Sequence, residues 1–154
     1  MYKLFVVLLL LSGCAAPGTK FTQPEKPTEK EALVYVYRPA SPSPRQPSVS
    51  VNGKRLASLK NQSYIAIHLP AGKYQFTANW AWNALSRIPK TNASFEAGRR
   101  YFVRITPPRV FTLGLPTYDT GLDIVDEADA LPELADCNFL TGFDQSAMDI
   151  QPLK

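Results

Sequence analysis

The 154-residue chain has one histidine and two cysteines. That is too little imidazole and thiol for a structural zinc site or a His-based catalytic device. No Gly-x-Ser-x-Gly or similar setting surrounds a serine, so a hydrolase nucleophile has no recognisable place. Long apolar runs are also lacking. The longest, Leu4-Phe5-Val6-Val7-Leu8-Leu9-Leu10-Leu11, is far short of the roughly 20 residues a membrane-crossing helix needs. Glycine is modest at 8 residues, but proline reaches 14, beside 7 Tyr and 8 Phe, which favours short strands and turns over long helices. At 45% hydrophobic and 19% charged, the chain is too apolar to be disordered and too short for two ordinary domains. The net charge of +4 hides a polarity: residues 1–109 carry 16 Lys/Arg and 4 Asp/Glu, residues 110–154 carry 1 and 9.

The amino terminus reads as an address. Lys3 and the free amine form a positive n-region, the eight-residue run an h-region, and small Ser12 and Gly13 precede Cys14. Leu11-Ser12-Gly13-Cys14 resembles the lipobox of bacterial lipoproteins. That resemblance implies a signal peptide over residues 1–13 and a diacylglycerol thioether on Cys14, whose freed amine takes a third chain. Two or more acyl chains hold a protein stably on a membrane. Ala15, not Asp, follows Cys14, which in a two-membrane host points to the outer membrane, facing the periplasm. Residues 14–31, rich in Pro, Gly, Thr, Gln, Lys and Glu, then read as a lipidated Cys and flexible tether. Extended, the seventeen residues after Cys14 would reach about 50 Å.

Residues 32–140 carry the fold pattern. Leu33-Val34-Tyr35-Val36-Tyr37-Arg38 predicts a strand, and the Pro- and Ser-rich residues 40–47 a surface loop. Val49-Ser50-Val51, Asn52-Gly53 and residues 54–59 predict a hairpin with a type I′ turn. Residues 64–69 place Ile65, Ile67 and Leu69 on one face; residues 73–80 place Tyr74, Phe76, Ala78 and Trp80 on one face. Arg87, Pro89 and Lys90 suggest an exposed connection, residues 95–98 a turn, and residues 99–106 a strand. Residues 110–115 and 122–125 suggest short strands, and residues 129–136 a helix with Asp129 as N-cap and Pro132 in its first turn. Residues 141–154 read as a frayed, dispensable C-terminal tail. The expected fold class is all-β: a small antiparallel β-sandwich of about seven strands with one short C-terminal helix.

Several of these segments also carry a resemblance. Val49-Ser50-Val51-Asn52-Gly53-Lys54, Leu69-Pro70-Ala71-Gly72-Lys73-Tyr74, the segment from Phe95 to Ile105 and Leu122-Asp123-Ile124-Val125 before an acidic helix are similar to short bacterial lipoproteins with an uncharacterised β-sandwich domain related to PEGA-type modules. The resemblance implies fold and location only, since that family has no assigned activity.

Few side chains suggest chemistry. His68, opposite the Ile65-Ile67 row, reads as structural or solvent-facing. Asp119, Asp123, Asp126, Glu127 and Asp129 lack the alternating spacing of a calcium loop and suit a helix start. Trp80 and Trp82, with Tyr64, are candidates for a stacking platform, against core packing for Trp80. Lys54, Arg55, Lys60, Lys73, Arg99, Arg100, Arg104 and Arg109 read first as a scattered solvated surface, and as the alternative a basic set for lipid headgroups, peptidoglycan carboxylates, an acidic protein or the chain's own acidic end. Arg99, Arg100 and Arg104 are its candidate binding residues, and neutralising them together is expected to cost little stability. Cys137, the only thiol left after acylation of Cys14, is expected to be buried. The expected function is a non-catalytic, lipid-anchored envelope module that binds or scaffolds a protein or peptidoglycan, with no cofactor, metal or nucleic acid. The alternative is a glycan- or peptidoglycan-binding lipoprotein that uses exposed aromatic and basic residues.

Overall fold

The run Leu33-Val34-Tyr35-Val36-Tyr37 lacks the polar alternation of a half-exposed strand, and the computed structural model supplies the reason: it lies in a strand covered on both faces. The structure describes residues 18–80, 88–107, 121–146 and 148–154. Within them lie β1 (Glu31–Arg38), β2 (Ser48–Val51), β3 (Lys54–Ser58), β4 (Ser63–Pro70), β5 (Gly72–Asn79), β6 (Lys90–Phe95), β7 (Arg100–Ile105), β8 (Leu122–Val125), α1 (Glu127–Leu134) and β9 (Asn138–Phe139). One sheet has the order β8-β7-β1-β4-β9, the other β3-β2-β5-β6.

The sheets enclose a core that includes Val34, Val36, Val51, Ile65, Ile67, Phe76 and Val103. A second apolar layer forms on the outer face of the five-stranded sheet, where Leu33, Tyr35, Tyr37 and Phe102 lie under Phe21 and the α1 residues Ala130 and Leu134. The expected all-β sandwich is present, with nine described strands rather than about seven. Its pairing is not wholly antiparallel, as β1 runs parallel to β7 and β4 to β9. The chain reaches β7 only after crossing to β5 and β6 in the other sheet, so it returns beside β1 without a hairpin.

Alternation marks β4 and β5, whose Ile65, Ile67 and Leu69, and Tyr74, Phe76 and Ala78, point into the core. The β2–β3 turn has φ of 49° at Asn52 and 80° at Gly53, the positive pair a type I′ turn requires.

Four expectations change. Lys90 belongs to β6, an edge strand that pairs with β5 and ends on buried Phe95; it is not an open connection followed by a turn at Phe95. Its inward residues before Phe95 are Thr91 and Ala93, so no large apolar row announces it. The helix starts at Glu127 with Asp126 as N-cap, whose carbonyl accepts from the Asp129 and Ala130 N–H groups. Pro132 is therefore inside the helix, which ends two residues later, so one backbone bond is forfeited. Residues 18–21 are docked, not tether: Phe21 is 7% exposed and its N–H donates to the Cys137 carbonyl at 2.9 Å. Residues 141–154 do not fray, because Ile150 enters the core and Phe143 and Met148 pack against it. Isolated apolar residues such as Phe21 and Ile150 have no period to read, yet each buries a whole side chain. The expected strand at residues 110–115 lies outside the described residues, as do residues 1–17.

Candidate functional site

Strand β7 brings basic residues to the outer face of the five-stranded sheet, where α1 presents acidic ones. Arg100 Nη2 donates to both carboxylate oxygens of Glu127, at 2.8 and 3.1 Å. Arg104 Nη1 donates to Glu133 Oε1 at 3.3 Å, and its Nη2 lies 3.7 Å from Asp123 Oδ2. The Tyr37 hydroxyl donates to Glu133 Oε2 at 2.6 Å; burial, reinforced by this bond, holds its pKa well above the ordinary tyrosine value. Part of the charge polarity of the sequence is thus spent inside the molecule, where the acidic helix docks on a basic strand.

Arg99 differs. It projects outward, 67% exposed, and among the described residues pairs with Glu96 alone, at 3.1 Å. With Lys26, Pro27, Gly98, Arg100 and Glu127 it lines a shallow groove of about 430 Å³. The structure therefore brings Arg99 and Arg100 together and leaves Arg104 out of the groove. Lys26 joins them because residues 24–27 pass beside β7, with Arg100 Nη1 donating to the Glu25 carbonyl at 3.3 Å. No periodicity singles out Lys26. A second groove, of about 340 Å³, lies between β3 and residues 140–144 with Met148, and Leu56, Leu140 and Phe143 are among its walls.

The aromatic candidates separate. Trp80 is 5% exposed and lies in the core, as the core-packing reading expected, so it offers no stacking face to a ligand. Tyr64 is half-buried in a cluster with Phe21, Tyr35 and Phe139, at ring distances of 5.4 to 6.2 Å. Trp82, Cys14, Arg109 and Asp119 lie outside the described residues. His68 sits on the outer face with Nδ1 3.7 Å from Glu31 Oε2, and no nucleophile pairs with it among the described residues. Cys137 is buried, and burial with Asp136 and Glu133 nearby pushes its thiol pKa up to about 12. Such a thiol is inert. Among the described residues, no three His, Cys, Asp or Glu side chains converge as metal ligands.

Sequence reasoning missed Arg38. It closes one end of the sandwich interior, fully buried, with Nη1 donating to the Arg45 carbonyl at 2.5 Å and the Leu59 carbonyl at 3.3 Å. Nη2 donates to Ser41 Oγ at 2.9 Å and the Ser43 carbonyl at 2.6 Å, and the guanidinium stands 5.1 Å from the centre of the Trp80 ring. The charge is thus met by carbonyl dipoles and a ring face, and burial lowers its pKa. The arrangement pins the proline-rich loop to the sandwich. An arginine ending an apolar strand just before that loop was the available signal.

A family model of proteins of unknown function, DUF2846, matches residues 28–114. The chain belongs to that family. The DUF2846 match takes in β1 to β7, including Arg38 and the basic strand β7, and ends before β8 and α1. The acidic partners Glu127 and Glu133 therefore lie beyond the matched span. The comparison with curated proteins gives no match.

Proposed function

We propose that this DUF2846 protein is a lipid-anchored, non-catalytic module of the cell envelope that binds or scaffolds a protein or peptidoglycan partner. The observation that carries the reading is Leu11-Ser12-Gly13-Cys14 directly after a charged n-region and an eight-residue apolar run. The lipid sits on Cys14, and Ala15 at the next position directs the protein to the outer membrane, facing the periplasm. The sandwich belongs with the PEGA-related domains that its turn motifs resemble. The groove lined by Lys26, Arg99 and Arg100 suits carboxylates, which an acidic protein or a peptidoglycan stem peptide carries. The non-catalytic part of the reading draws on the isolation of His68 from any nucleophile among the described residues and on the inertness of buried Cys137.

The experiment is Cys14→Ser, followed by detergent-phase partition and by the mass of the mature protein. The parent is expected in the detergent phase and cleaved before Cys14, the variant in the aqueous phase or uncleaved. Unchanged partition and processing overturn the anchor.

A further inference from the structure

A free spacer over residues 14–31 would hold the domain about 50 Å from its anchor. The chain is not free over most of that length. Thr19 accepts the Phe139 N–H through its carbonyl at 2.8 Å, Lys20 bridges Asn138 in antiparallel sense, and Phe21 donates to Cys137. The Phe21 ring stands edge-on to Tyr35 and Tyr64 at 5.8 and 5.4 Å. Gly18 lies so close to β9 that a Cβ there would meet the Phe139 carbonyl oxygen at 1.7 Å. The segment thus continues the five-stranded sheet beyond β9. Three residues, 15–17, are left between Cys14 and this docked strand, and four Cα steps reach at most about 14 Å.

That reach is shorter than the sheet is wide. Phe139, Tyr64, Tyr37, Arg104 and Asp123 form one row from β9 to β8 through paired positions, about 19 Å across at the usual strand spacing. The β9 edge is tied within reach of the lipid headgroups, and among the described residues nothing ties the β8 edge there. Charge acts in the same sense. The near edge is mixed, with Lys20 3.7 Å from Asp136, whereas at β8 and the start of α1 Asp123 and Glu127 are met by Arg104 and Arg100 and leave Asp126 and Asp129 as the acids an anionic headgroup layer repels.

We infer that the domain stands on the bilayer by its β9 edge, in contact with the phospholipid headgroup layer, and turns its β8 edge and acidic helix away. This rests on lipidation of Cys14. The groove of Lys26, Arg99 and Arg100 lies beside α1, through Glu127, on the part of the molecule turned from the lipid and open to a partner.

The test uses the full-length protein with its own acyl chains, reconstituted in vesicles of phosphatidylethanolamine and phosphatidylglycerol. Thr141→Cys and Lys20→Cys place a thiol on the near edge, and Ile124→Cys places one on β8; all three positions are exposed. Cys137 is buried and Cys14 acylated, so a maleimide dye reads the introduced thiol alone. Quenching by headgroup spin-labelled lipid is expected to be severalfold stronger at residues 141 and 20 than at residue 124. Equal quenching, or stronger quenching at residue 124, overturns the orientation. The mass of the N-terminal peptide from the same preparation keeps the two readings apart. An acylated peptide with equal quenching removes the orientation alone, and an unacylated peptide removes the anchor and the orientation with it.

Discussion

The side-chain amide of Gln145 pairs with the main chain of His68 as a neighbouring strand would: Oε1 accepts the His68 N–H at 2.7 Å and Nε2 donates to the His68 carbonyl at 2.5 Å. Strand β9 covers only Ser63 and Tyr64 of the β4 edge, so the amide closes a position further along. The rest of the C-terminal segment is held in the same manner, by Leu153 N–H to the Lys73 carbonyl at 2.8 Å and Asn52 Nδ2 to the Gln151 carbonyl at 2.7 Å. An edge left bare is a template for pairing with another chain.

Removing residues 141–154 is therefore expected to destabilise the domain, contrary to what their irregular sequence suggests. Loss of buried Ile150, with part of Phe143 and Met148, should cost about 2–4 kcal/mol. Gln145→Ala alone should cost about 1 kcal/mol for two bonds with solvent-accessible neighbours. Urea unfolding midpoints read both. An unchanged midpoint on truncation would mean that the segment adds nothing to the fold.

Gly53 tests the hairpin. Its φ of 80° lies in the left-handed region, and nothing stands within 4 Å of a Cβ built there, so substitution meets backbone strain and no clash. Gly53→Val should lower stability by about 1–2 kcal/mol, and Gly53→Asn by less, because asparagine visits that region more readily. Thermal melting of the pair separates the two costs. Equal losses would point to something other than φ.

Where periodicity existed, the fold was legible. Ile65-Ile67-Leu69 and Tyr74-Phe76-Ala78 gave β4 and β5 with their inward faces, and Asn52-Gly53 gave the turn. Edge positions were not, because β6 needs only Thr91, Ala93 and Phe95 inward and leaves its other residues to solvent. The docked ends were hidden for a related reason: Phe21 and Ile150 act singly, through distant partners that no local window contains. Of the site, the basic composition was visible but not its division. Arg100 and Arg104 look like Arg99 in sequence, and only the acidic helix packed on β7 tells them apart.

Buried acids give an alkaline prediction. Burial raises the Cys137 thiol from 9.0 to about 12, and the Tyr35, Tyr37, Tyr64 and Tyr74 hydroxyls above 10.0. In each case the folded state keeps a proton that the unfolded chain releases. Their contribution is whole below pH 9 and is lost as pH rises from there toward 12, since the unfolded state then binds fewer protons. Unfolding midpoints should fall steadily above pH 9. Cys137→Ala should remove the earliest part of that decline, between pH 9 and 10, and leave the tyrosine part. A parent whose midpoint is flat to pH 11 would contradict the burial of these groups.

The structure sorts the three arginines by partner. Arg99 and Glu96 are about two-thirds exposed, a pairing worth little in water, so Arg99→Ala should change stability by no more than about 0.5 kcal/mol. Arg100 and Arg104 are 28% and 29% exposed and hold the Glu127 and Glu133 carboxylates, the second shared with the Tyr37 hydroxyl, so each alanine variant should cost about 1–2 kcal/mol. The triple variant should be measurably destabilised, not neutral as the basic composition alone suggests. A double-mutant cycle of Arg100→Ala and Glu127→Ala should leave a coupling above about 0.5 kcal/mol, because Arg100 Nη2 donates to both oxygens of Glu127. Thermal melting across a salt series checks this, since screening weakens the exposed Arg99 pair before the half-buried ones. If the groove meets an acidic partner, Arg99→Ala should weaken pelleting with envelope fragments at low salt with its melting curve unchanged. Arg104→Ala should lower the melting curve and leave pelleting intact wherever the variant remains folded. The reverse pattern would place the binding charge on Arg104 and remove the groove from the account.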